Sequence, residues 1–382
     1  MKKKILVTTG TRSEYGFLRP LLFKINKSKK LELILVVTGS HLSTKHGNTV
    51  KEIKKDGFKI SARIKMIPFS DENFSMSLEL GKGIIAFSKC FKKLKPDINL
   101  ILGDRDEMLA SSLAAYHMNI VNAHIHGGDI SGGLDEYTRH AITKISNLHF
   151  ASTQKSKIRI IKMGEDKKFV FFTGSPSIDE IHNNKITSKK ELEKKYKLKF
   201  IGDEILLLQH PDTTELKYVE KQIISTLKAV VKTKHTVIAI APNSDSGHRK
   251  IFKHLKLFSK NHPQIHLYSN LPRSDYLGML KHAGILVGNS SSGLIEASHF
   301  HIPVINLGNR QKNRERGINV IDVPSFSSTK IFFAIQKGLK TFPQIKKSHS
   351  KIYGNGTASN QIVKILEKIK LDDNLLKKQL TY

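Results

Sequence analysis

Five side chains able to exchange protons or hold a ligand fall within one short stretch, residues 122–150, NAHIHGGDISGGLDEYTRHAITKISNLHF. They are His124, His126, Asp129, Asp135 and Glu136, imidazoles and carboxylates of the kind used for general acid–base work. An apolar run from Ile120 to Ile125 reads as a buried strand. Two glycine pairs, Gly127-Gly128 and Gly132-Gly133, then make a loop whose backbone can come close to a ligand. Past the loop the pattern is helical. Asp135 and Arg139 stand four apart, as do Glu136 and His140, so each pair meets on one helix face. Strand, glycine loop and acid-bearing helix together place the five near a strand's carboxyl end, where open α/β sheets bind ligands. Helix capping and solvated ion pairs explain single members of the group, but not the group.

The rest of the chain must position that stretch. A length of 382 residues predicts two domains, and 39% apolar residues suffice for their cores. No apolar run approaches the roughly 18 residues that span a bilayer, which predicts a soluble protein. The start, MKKKILVTTG, goes straight from a basic tip into a strand and glycine turn, so it reads as strand one and not as a targeting segment. Cys90 stands alone, which excludes a disulfide framework and a cysteine zinc site and suits a reducing compartment. The formal charge of +31 admits nucleic acid, a membrane surface or an anionic substrate as partner. Lysine supplies most of it, however, and is spread along the whole chain without interleaved aromatics. That is the pattern of a solvated surface, so neither nucleic acid nor membrane is expected as a partner. Arginine is scarcer, and Arg12, Arg105, Arg139, Arg310 and Arg316 all sit in glycine-containing segments. A planar, bidentate donor is wanted there.

Lys4 to Thr9 is a strand ending in Gly10, and TRSEYGFLRPLL after it turns helical, with Ser13 and Glu14 as cap chemistry. Arg12 lies in that strand-to-helix turn. Leu33 to Val37 is the second strand; Ser40 to Val50, with His41, His46 and Gly47, reads as a loop. A helix around Met76 to Leu94 precedes the strand Ile98 to Leu102, which ends in GDRDE. Asp106 is placed to cap the next helix, with Asp104 and Arg105 in the turn. Strands at His149 to Ser152 and Phe169 to Phe172 follow. This is the rhythm of a parallel, doubly wound sheet.

The polar segment 177–200 reads as a link, after which the rhythm restarts. Strands are expected at Glu204 to Leu208, Val237 to Ala241, Ile265 to Tyr268, Ile285 to Val287, Val304 to Leu307 and Val320 to Val323. The expected plan is α/β: two Rossmann-like doubly wound domains, 1–176 and 201–355, facing a central cleft. A helical tail, 356–382, would pack back on the first. In the second domain Ser290, Ser291 and Ser292 lie where a strand gives way to a helix, so backbone N–H groups and hydroxyls make a phosphate site. Glu296, one turn on, offers a carboxylate to ribose hydroxyls. Arg310, Arg314 and Arg316 in GNRQKNRERG suit a diphosphate clamp. His210 in QHPDT and Asn243 in PNSDSG follow strands toward the same cleft. His124 and His126 lack metalloprotease spacing, and no metal set is read.

These motifs resemble the UDP-N-acetylglucosamine 2-epimerase family. The likeness rests on GTRSEYG (10–16), GDR (103–105), AHIHGGD (123–129), DE-x-x-RHAITK (135–144), GSPSID (174–179), HP (210–211), NSSSGLIE (289–296) and INLGNRQ (305–311). It is strongest to the hydrolysing branch that feeds sialic- and legionaminic-type acid synthesis. The resemblance implies the two-domain plan of B-type (GT-B-like) glycosyltransferases. It implies that Arg12, Arg105, His210, Asn243, Ser290, Ser291, Glu296 and Arg310 contact the nucleotide diphosphate, with Ser292 beside them. Asp104 and Asp135 would be catalytic carboxylates near C1 and C2 of the sugar, assisted by His126 or Asp129. The chain departs from the family pattern at His126, where several hydrolysing members carry glutamate, and at Asp129, where some do.

The implied reaction is an elimination followed by hydration. A base takes the C2 proton as the nucleoside diphosphate leaves C1, and water then adds across the double bond with inversion at C2. No metal or redox cofactor is implied; a homodimer is. Three alternatives differ in what they need. A non-hydrolysing epimerase returns the nucleotide sugar. A glycosyltransferase of the same fold needs an acceptor and no carboxylates at C2. A basic nucleic-acid binder rests on charge alone and predicts steep salt dependence.

Overall fold

Short Val-, Ile- and Leu-rich runs bounded by glycine, asparagine or proline form strands buried on both faces, as parallel sheets covered by helices require. The structure, a computed structural model, describes residues 2–43, 49–70, 73–183, 186–243, 245–345 and 351–381. The chain begins with β1 (Lys3–Thr9), α1 (Arg12–Lys27), β2 (Leu31–Thr38), α2 (Val50–Lys55) and β3 (Ile60–Ile64). It goes on through α3 (Asn73–Leu94), β4 (Ile98–Leu102), α4 (Asp106–His117), β5 (Val121–Ile125) and α5 (Leu134–Lys144). Next are β6 (Leu148–Ala151), α6 (Gln154–Lys162), β7 (Val170–Phe172) and α7 (Pro176–Asn183). The second half runs α8 (Lys189–Tyr196), β8 (Ile205–Leu208), α9 (Val219–Lys232), β9 (Val237–Ile240), α10 (His248–Asn261) and β10 (Ile265–Tyr268). It continues with α11 (Arg273–His282), β11 (Ile285–Gly288), α12 (Ser291–Phe300), β12 (Val304–Leu307), β13 (Val320–Val323) and α13 (Ser328–Ile345). Two short helices end the chain, α14 (Ala358–Lys368) and α15 (Asp373–Leu376).

The chain divides into two compact units. One comprises Met1–Asp129, Asp135–Asn183 and Tyr353–Tyr382; the other comprises Ile130–Leu134 and Asn184–Ile352. Each holds one parallel sheet, ordered β3-β2-β1-β4-β5-β6-β7 in the first and β10-β9-β8-β11-β12-β13 in the second. Both are doubly wound α/β sheets of the Rossmann kind. Their strand order reverses between β1 and β4 and between β8 and β11, the points where such sheets take ligands.

The strands read from sequence at 98–102, 265–268, 304–307 and 320–323 coincide with those observed. The edge strand β3 was not anticipated. Its Ile60, Ala62 and Ile64 alternate with Ser61 and Arg63, and edge strands carry such polar residues. The segment 177–200 carries two helices: α7 lies in the first unit and α8, capped by Ser188 with Glu191, in the second. Two caps also differ from expectation. Thr11, not Ser13, caps α1 in a capping box with Glu14. Asp106 is the first residue of α4, and Arg105 holds the cap position. His41 does not lie in an open loop but is buried in a 3-10 turn, its ring against Thr9 and Thr49. His46, Gly47 and Ser244 lie outside the described residues.

The C-terminal tail is part of the first core. Ile362, Leu366 and Leu375 pack with Leu18, Leu21 and Ile25 of α1. Asp179 of the GSPSID segment accepts from the Ala358 and Ser359 amides at 2.9 and 2.5 Å, so it anchors the first turn of α14. Lys378 reaches furthest inward. Its ammonium donates to the Ser146 carbonyl at 2.8 Å and to Glu165 at 2.6 Å. Lys144 meets the same carboxylate at 2.9 Å, and His149 lies at 3.3 Å. Burial pushes the Glu165 carboxyl up, but the bonds from His149, Lys378 and Lys144 outweigh it and hold the group at about 2. Burial also pulls the Lys378 ammonium below its usual value, against the attraction of Glu165. The net contribution of the pair is the carboxylate's gain less the ammonium's desolvation.

Lys378→Met is expected to lower the unfolding free energy by about 2 kcal/mol at neutral pH, because Glu165 keeps Lys144 and His149. A carboxyl depressed by folding contributes its stability above its unfolded value, and that stability is lost as pH falls toward the folded one. Urea titrations of wild type and variant should therefore converge as pH is lowered from about 5 to about 3. A difference that stays constant or widens would show that the clamp is not ionic.

Candidate active site

At the reversal point of the first sheet, the turn after β1 carries Gly10 and leads into Arg12, which is the first residue of α1 and not part of the turn, and the turn after β4 carries Gly103, Asp104 and Arg105. Glu14, in the first turn of α1, accepts from the Gly10 and Thr11 amides at 2.8 and 2.9 Å. Arg105 lies 3.8 Å from its other oxygen and 3.3 Å from Glu107. Two buried carboxylates thus share one guanidinium across the two turns. Burial pushes the Glu14 carboxyl up to about 7, Arg105 opposes this, and Glu107 adds to it. Arg12 pairs with Glu52 of α2 at 2.8 Å.

Asp104 projects from the same turn and is partly exposed, whereas its partner Arg139 is buried. Arg139 donates to Asp104 through one terminal nitrogen and, through the other, to the Asp129 carbonyl at 2.9 Å. Helix spacing alone pointed only to Asp135 as its neighbour. Asp135 and Glu136 open α5, and Glu136 meets His140 at 3.6 Å as the spacing predicts. His124 of β5 and His126 just beyond it have other partners. His124 is fully buried, its ring against the Gly103 carbonyl at 2.7 Å and Thr143 at 3.1 Å. Burial pulls it down to about 3, so it stays neutral and braces the Asp104 turn.

His126 sits at φ +66°, an unusual conformation for a residue with a Cβ. Its ring bridges Ser175 at 2.9 Å and Asp129 at 3.4 Å, and Asp129 also accepts from Ser152 at 2.6 Å and Ser156 at 2.7 Å. Ser175, His126 and Asp129 fall in the order of a hydrolase triad. Ser175, however, is wholly buried and bonded to Ser177, so the arrangement holds the loop and does not present a nucleophile.

The second glycine pair serves the protein's own packing. A Cβ on Gly132 would lie 2.0 Å from the Asn309 carbonyl, and the Gly132 amide donates to the Arg310 carbonyl at 2.9 Å. Only glycine lets these backbones meet.

In the second unit the reversal point is spanned by amide bonds. The His210 amide donates to the Asn289 side chain at 2.7 Å, and Asn289 donates back to the His210 carbonyl at 2.9 Å. Their strands approach so closely that a Cβ on Gly288 would lie 1.9 Å from the Leu208 carbonyl. The Asn243 amide donates to His210 Nδ1 at 3.1 Å, and the Asn243 side chain donates to Asp245 at 2.5 Å. Arg310 donates to the Asn289 carbonyl at 3.3 Å and lies 3.8 Å from Asp245. His210, Asn243 and Arg310 therefore converge around Asn289. Arg314 and Arg316 do not join them: Arg314 bonds Gln311, and Arg316 bonds Asp322 and the Gln311 carbonyl. Both build the loop in place of the expected clamp.

The three serines divide their roles. Ser290 caps α12 by accepting from the Ser292 amide at 3.3 Å, and Ser291 is its first residue. Ser292 turns its hydroxyl inward, donating to Glu296 at 2.5 Å and touching Tyr276. Glu296 is wholly buried, and Arg273, the first residue of α11, grips both its oxygens. Burial and the nearby Glu296 push the Tyr276 hydroxyl upward, so it remains protonated. Sequence reasoning overlooked Arg273, Tyr276, Asn289 and Gln311. The scarcity of arginine was a usable signal for Arg273, which follows Pro272 at a helix start. Among the described residues no cluster of His, Cys, Asp and Glu could hold a metal, and no helix is long and apolar enough to cross a membrane.

A family profile described as UDP-N-acetylglucosamine 2-epimerase matches residues 23–367. The chain is 37% identical over 99% of both lengths to the UDP-N,N'-diacetylbacillosamine 2-epimerase (hydrolyzing) of Legionella pneumophila. It is 38% identical to the GDP/UDP-N,N'-diacetylbacillosamine 2-epimerase (hydrolyzing) of Campylobacter jejuni, over 84% of both. Among solved structures, UDP-GlcNAc 2-epimerase of Neisseria meningitidis bound to UDP-GlcNAc superposes with a TM-score of 0.81 at 20% identity, covering 96% of this chain and 100% of that one. The Methanocaldococcus jannaschii enzyme in complex with UDP-GlcNAc and UDP gives 0.79 at 21% identity, over 96% and 99%. The fold is thus the GT-B-like pair of Rossmann domains. The chain belongs to the UDP-N-acetylglucosamine 2-epimerase family and is an enzyme.

Glu14→Gln keeps the acceptor for the Gly10 and Thr11 amides but cannot ionise. A carboxyl raised by folding binds more protons folded than unfolded between about 4.5 and about 7, so stability falls as pH rises through that window. Measured by urea unfolding, the variant should gain on wild type between about pH 5 and about pH 7.5. A gain that is the same at both ends would mean that Glu14 stays ionised.

Proposed function

We propose that this enzyme is a hydrolysing nucleotide-sugar 2-epimerase. It converts a nucleoside-diphosphate 2-acetamido sugar and water to the free C2-inverted sugar and the nucleoside diphosphate. What carries the reading is full-length similarity to the hydrolysing Legionella pneumophila enzyme, joined to a part-exposed acid, Asp104, held by the buried cation Arg139. UDP-N,N'-diacetylbacillosamine is the first substrate to expect, with UDP-N-acetylglucosamine and the GDP analogue next. A place in sialic- or legionaminic-type acid synthesis follows from the same similarity. A cytoplasmic location accords with the lone Cys90.

In the proposed mechanism the C2–H and C1–O bonds break, a C1–C2 double bond forms, and the nucleoside diphosphate departs. Water then gives its oxygen to C1 while a proton reaches C2 from the opposite face. The C2–H is a weak acid, so charge on the leaving diphosphate must be neutralised as it develops. Arg12, Arg105 and Arg310 supply cations for this, and the α12 N-terminus at Ser290 and Ser291 supplies backbone donors. Asn243 and His210 steady the nucleotide, Ser292 and Glu296 its ribose. Asp104 and Asp135 are the acid–base pair, and the buried His126–Asp129 couple assists by fixing the loop that precedes α5.

Asp104→Asn and Asp135→Asn are each expected to lower kcat by about 10²- to 10⁴-fold while nucleotide affinity changes by less than about threefold. Near-normal turnover in both would remove them from the mechanism. The reaction itself is tested by phosphorus NMR of the pure enzyme with each of the three nucleotide sugars and no acceptor. Free nucleoside diphosphate with the C2-inverted sugar is expected from at least one. A glycosyltransferase would leave all three unchanged, and a non-hydrolysing epimerase would release no diphosphate.

A homodimer is part of the reading, and α3 supplies a surface for it. Phe87 and Phe91 of this helix face the core, while Phe74, Leu78 and Ile85 are exposed on its opposite side within one narrow stripe. Light scattering should give twice the chain mass for wild type and the single chain mass for Ile85→Glu. A wild-type monomer would end the dimer proposal.

A further inference from the structure

The Glu296 carboxylate already has most of its bonding capacity in use. It offers about four lone-pair positions. Arg273 donates to both oxygens, at 3.3 Å to Oε2 and through its other terminal nitrogen to Oε1, and Ser292 donates to Oε2 at 2.5 Å. No part of Glu296 is exposed. The guanidinium that covers it also rests on the Tyr276 ring, 5.6 Å from its centroid, and Tyr276 is tied to Ser292. Two vicinal hydroxyls need two acceptor positions, and Arg273 holds one on each oxygen. Ser292 could surrender one of these, but only on the oxygen it shares with Arg273.

We propose that Arg273 sets nucleotide affinity by acting as an internal competitor for Glu296, and that the ribose diol of a nucleoside diphosphate displaces its guanidinium. The inference rests on the reading of Glu296 as the ribose acceptor. Its physical basis is that a buried carboxylate must always be answered by donors. Arg273 is a bidentate stand-in for a diol: planar, two-pronged and permanently charged. Exchange of one set of donors for another keeps Glu296 paired throughout. The released guanidinium remains beside the ligand. The competition lowers affinity for nucleotide, which favours departure of the nucleoside diphosphate product.

The test compares UDP with 2',3'-dideoxy-UDP by titration calorimetry in wild type and in Arg273→Lys, which keeps the charge but cannot hold both oxygens. UDP is expected to bind the variant about tenfold more tightly than wild type, the worth of one charge-assisted bond no longer displaced. The dideoxy compound, which displaces nothing, should bind both proteins equally. Arg273→Gln carries the same expectation should the lysine variant fail to show a cooperative melt. Weaker UDP binding in the variants, or equal shifts for both ligands, would overturn the inference. So would a wild type that binds the two ligands equally, since Glu296 would then not read the diol. Wild type that binds neither UDP nor GDP would overturn the nucleotide reading itself, and the inference with it.

Discussion

A charge removed from water must be answered inside the protein, and in this chain that demand is met above all at the points where the parallel strand order reverses. There the strands diverge and leave room for side chains from successive turns to meet. In the first unit Glu14 and Glu107 meet over Arg105, and Asp104 meets Arg139. In the second, His210 and Asn289 close the gap through paired amide bonds, and one turn into α12 Glu296 meets Arg273. Burial without partners raises a carboxyl toward protonation. Glu14, which has two backbone amides but only a distant share of one cation, goes part of that way. Glu165, with three basic side chains, does not.

The division of labour between the cations follows from the same demand. The excess of lysine that gives the chain its charge of +31 is mostly surface. Arginine takes the inner posts, as the buried Arg139 and Arg314 and the partly buried Arg273 show. A guanidinium cannot shed its proton when desolvated and spans two acceptors at fixed geometry. Two lysines that reach inward cap carbonyls as well. Lys3 meets the end of α14, and Lys378 joins two carbonyls to Glu165. Charge total therefore says little about partners here, whereas the placement of a few arginines says much.

That asymmetry also marks what the sequence could disclose. Sheet strands were legible because a strand covered on both faces is a predominantly apolar run, as INLIL at Ile98–Leu102 and VINL at Val304–Leu307 are, each with a single asparagine. The edge strand β3 was not, since exposure dilutes its pattern with Ser61 and Arg63. The residues after each strand could be placed at a carboxyl edge, but not their partners. Helix spacing pairs Arg139 with Asp135, whereas its bond to Asp104 depends on the packing of α5 beside β4, which no local rule contains. For the same reason Gly132 could be identified as a point of close approach while the approaching group, the Asn309 backbone, stayed hidden. Arg273 belongs to this class too: its type was informative, its partner was not.

The imidazole at position 126 follows from the same accounting. Its Nδ1 lies 3.4 Å from an Asp129 oxygen whose carboxylate already accepts from Ser152 and Ser156. A second carboxylate at 126, as the family resemblance finds in several hydrolysing members, would bring two like charges to within a few ångströms in a buried site, and one of them would have to hold a proton. Histidine removes the conflict. It answers Asp129 on one side and Ser175 on the other, and the loop between β5 and α5 is fixed by hydrogen bonds in place of a shared proton. With residue 126 committed to its own neighbours, the acids on either side that stay partly open are Asp104 in the turn after β4 and Asp135 at the head of α5.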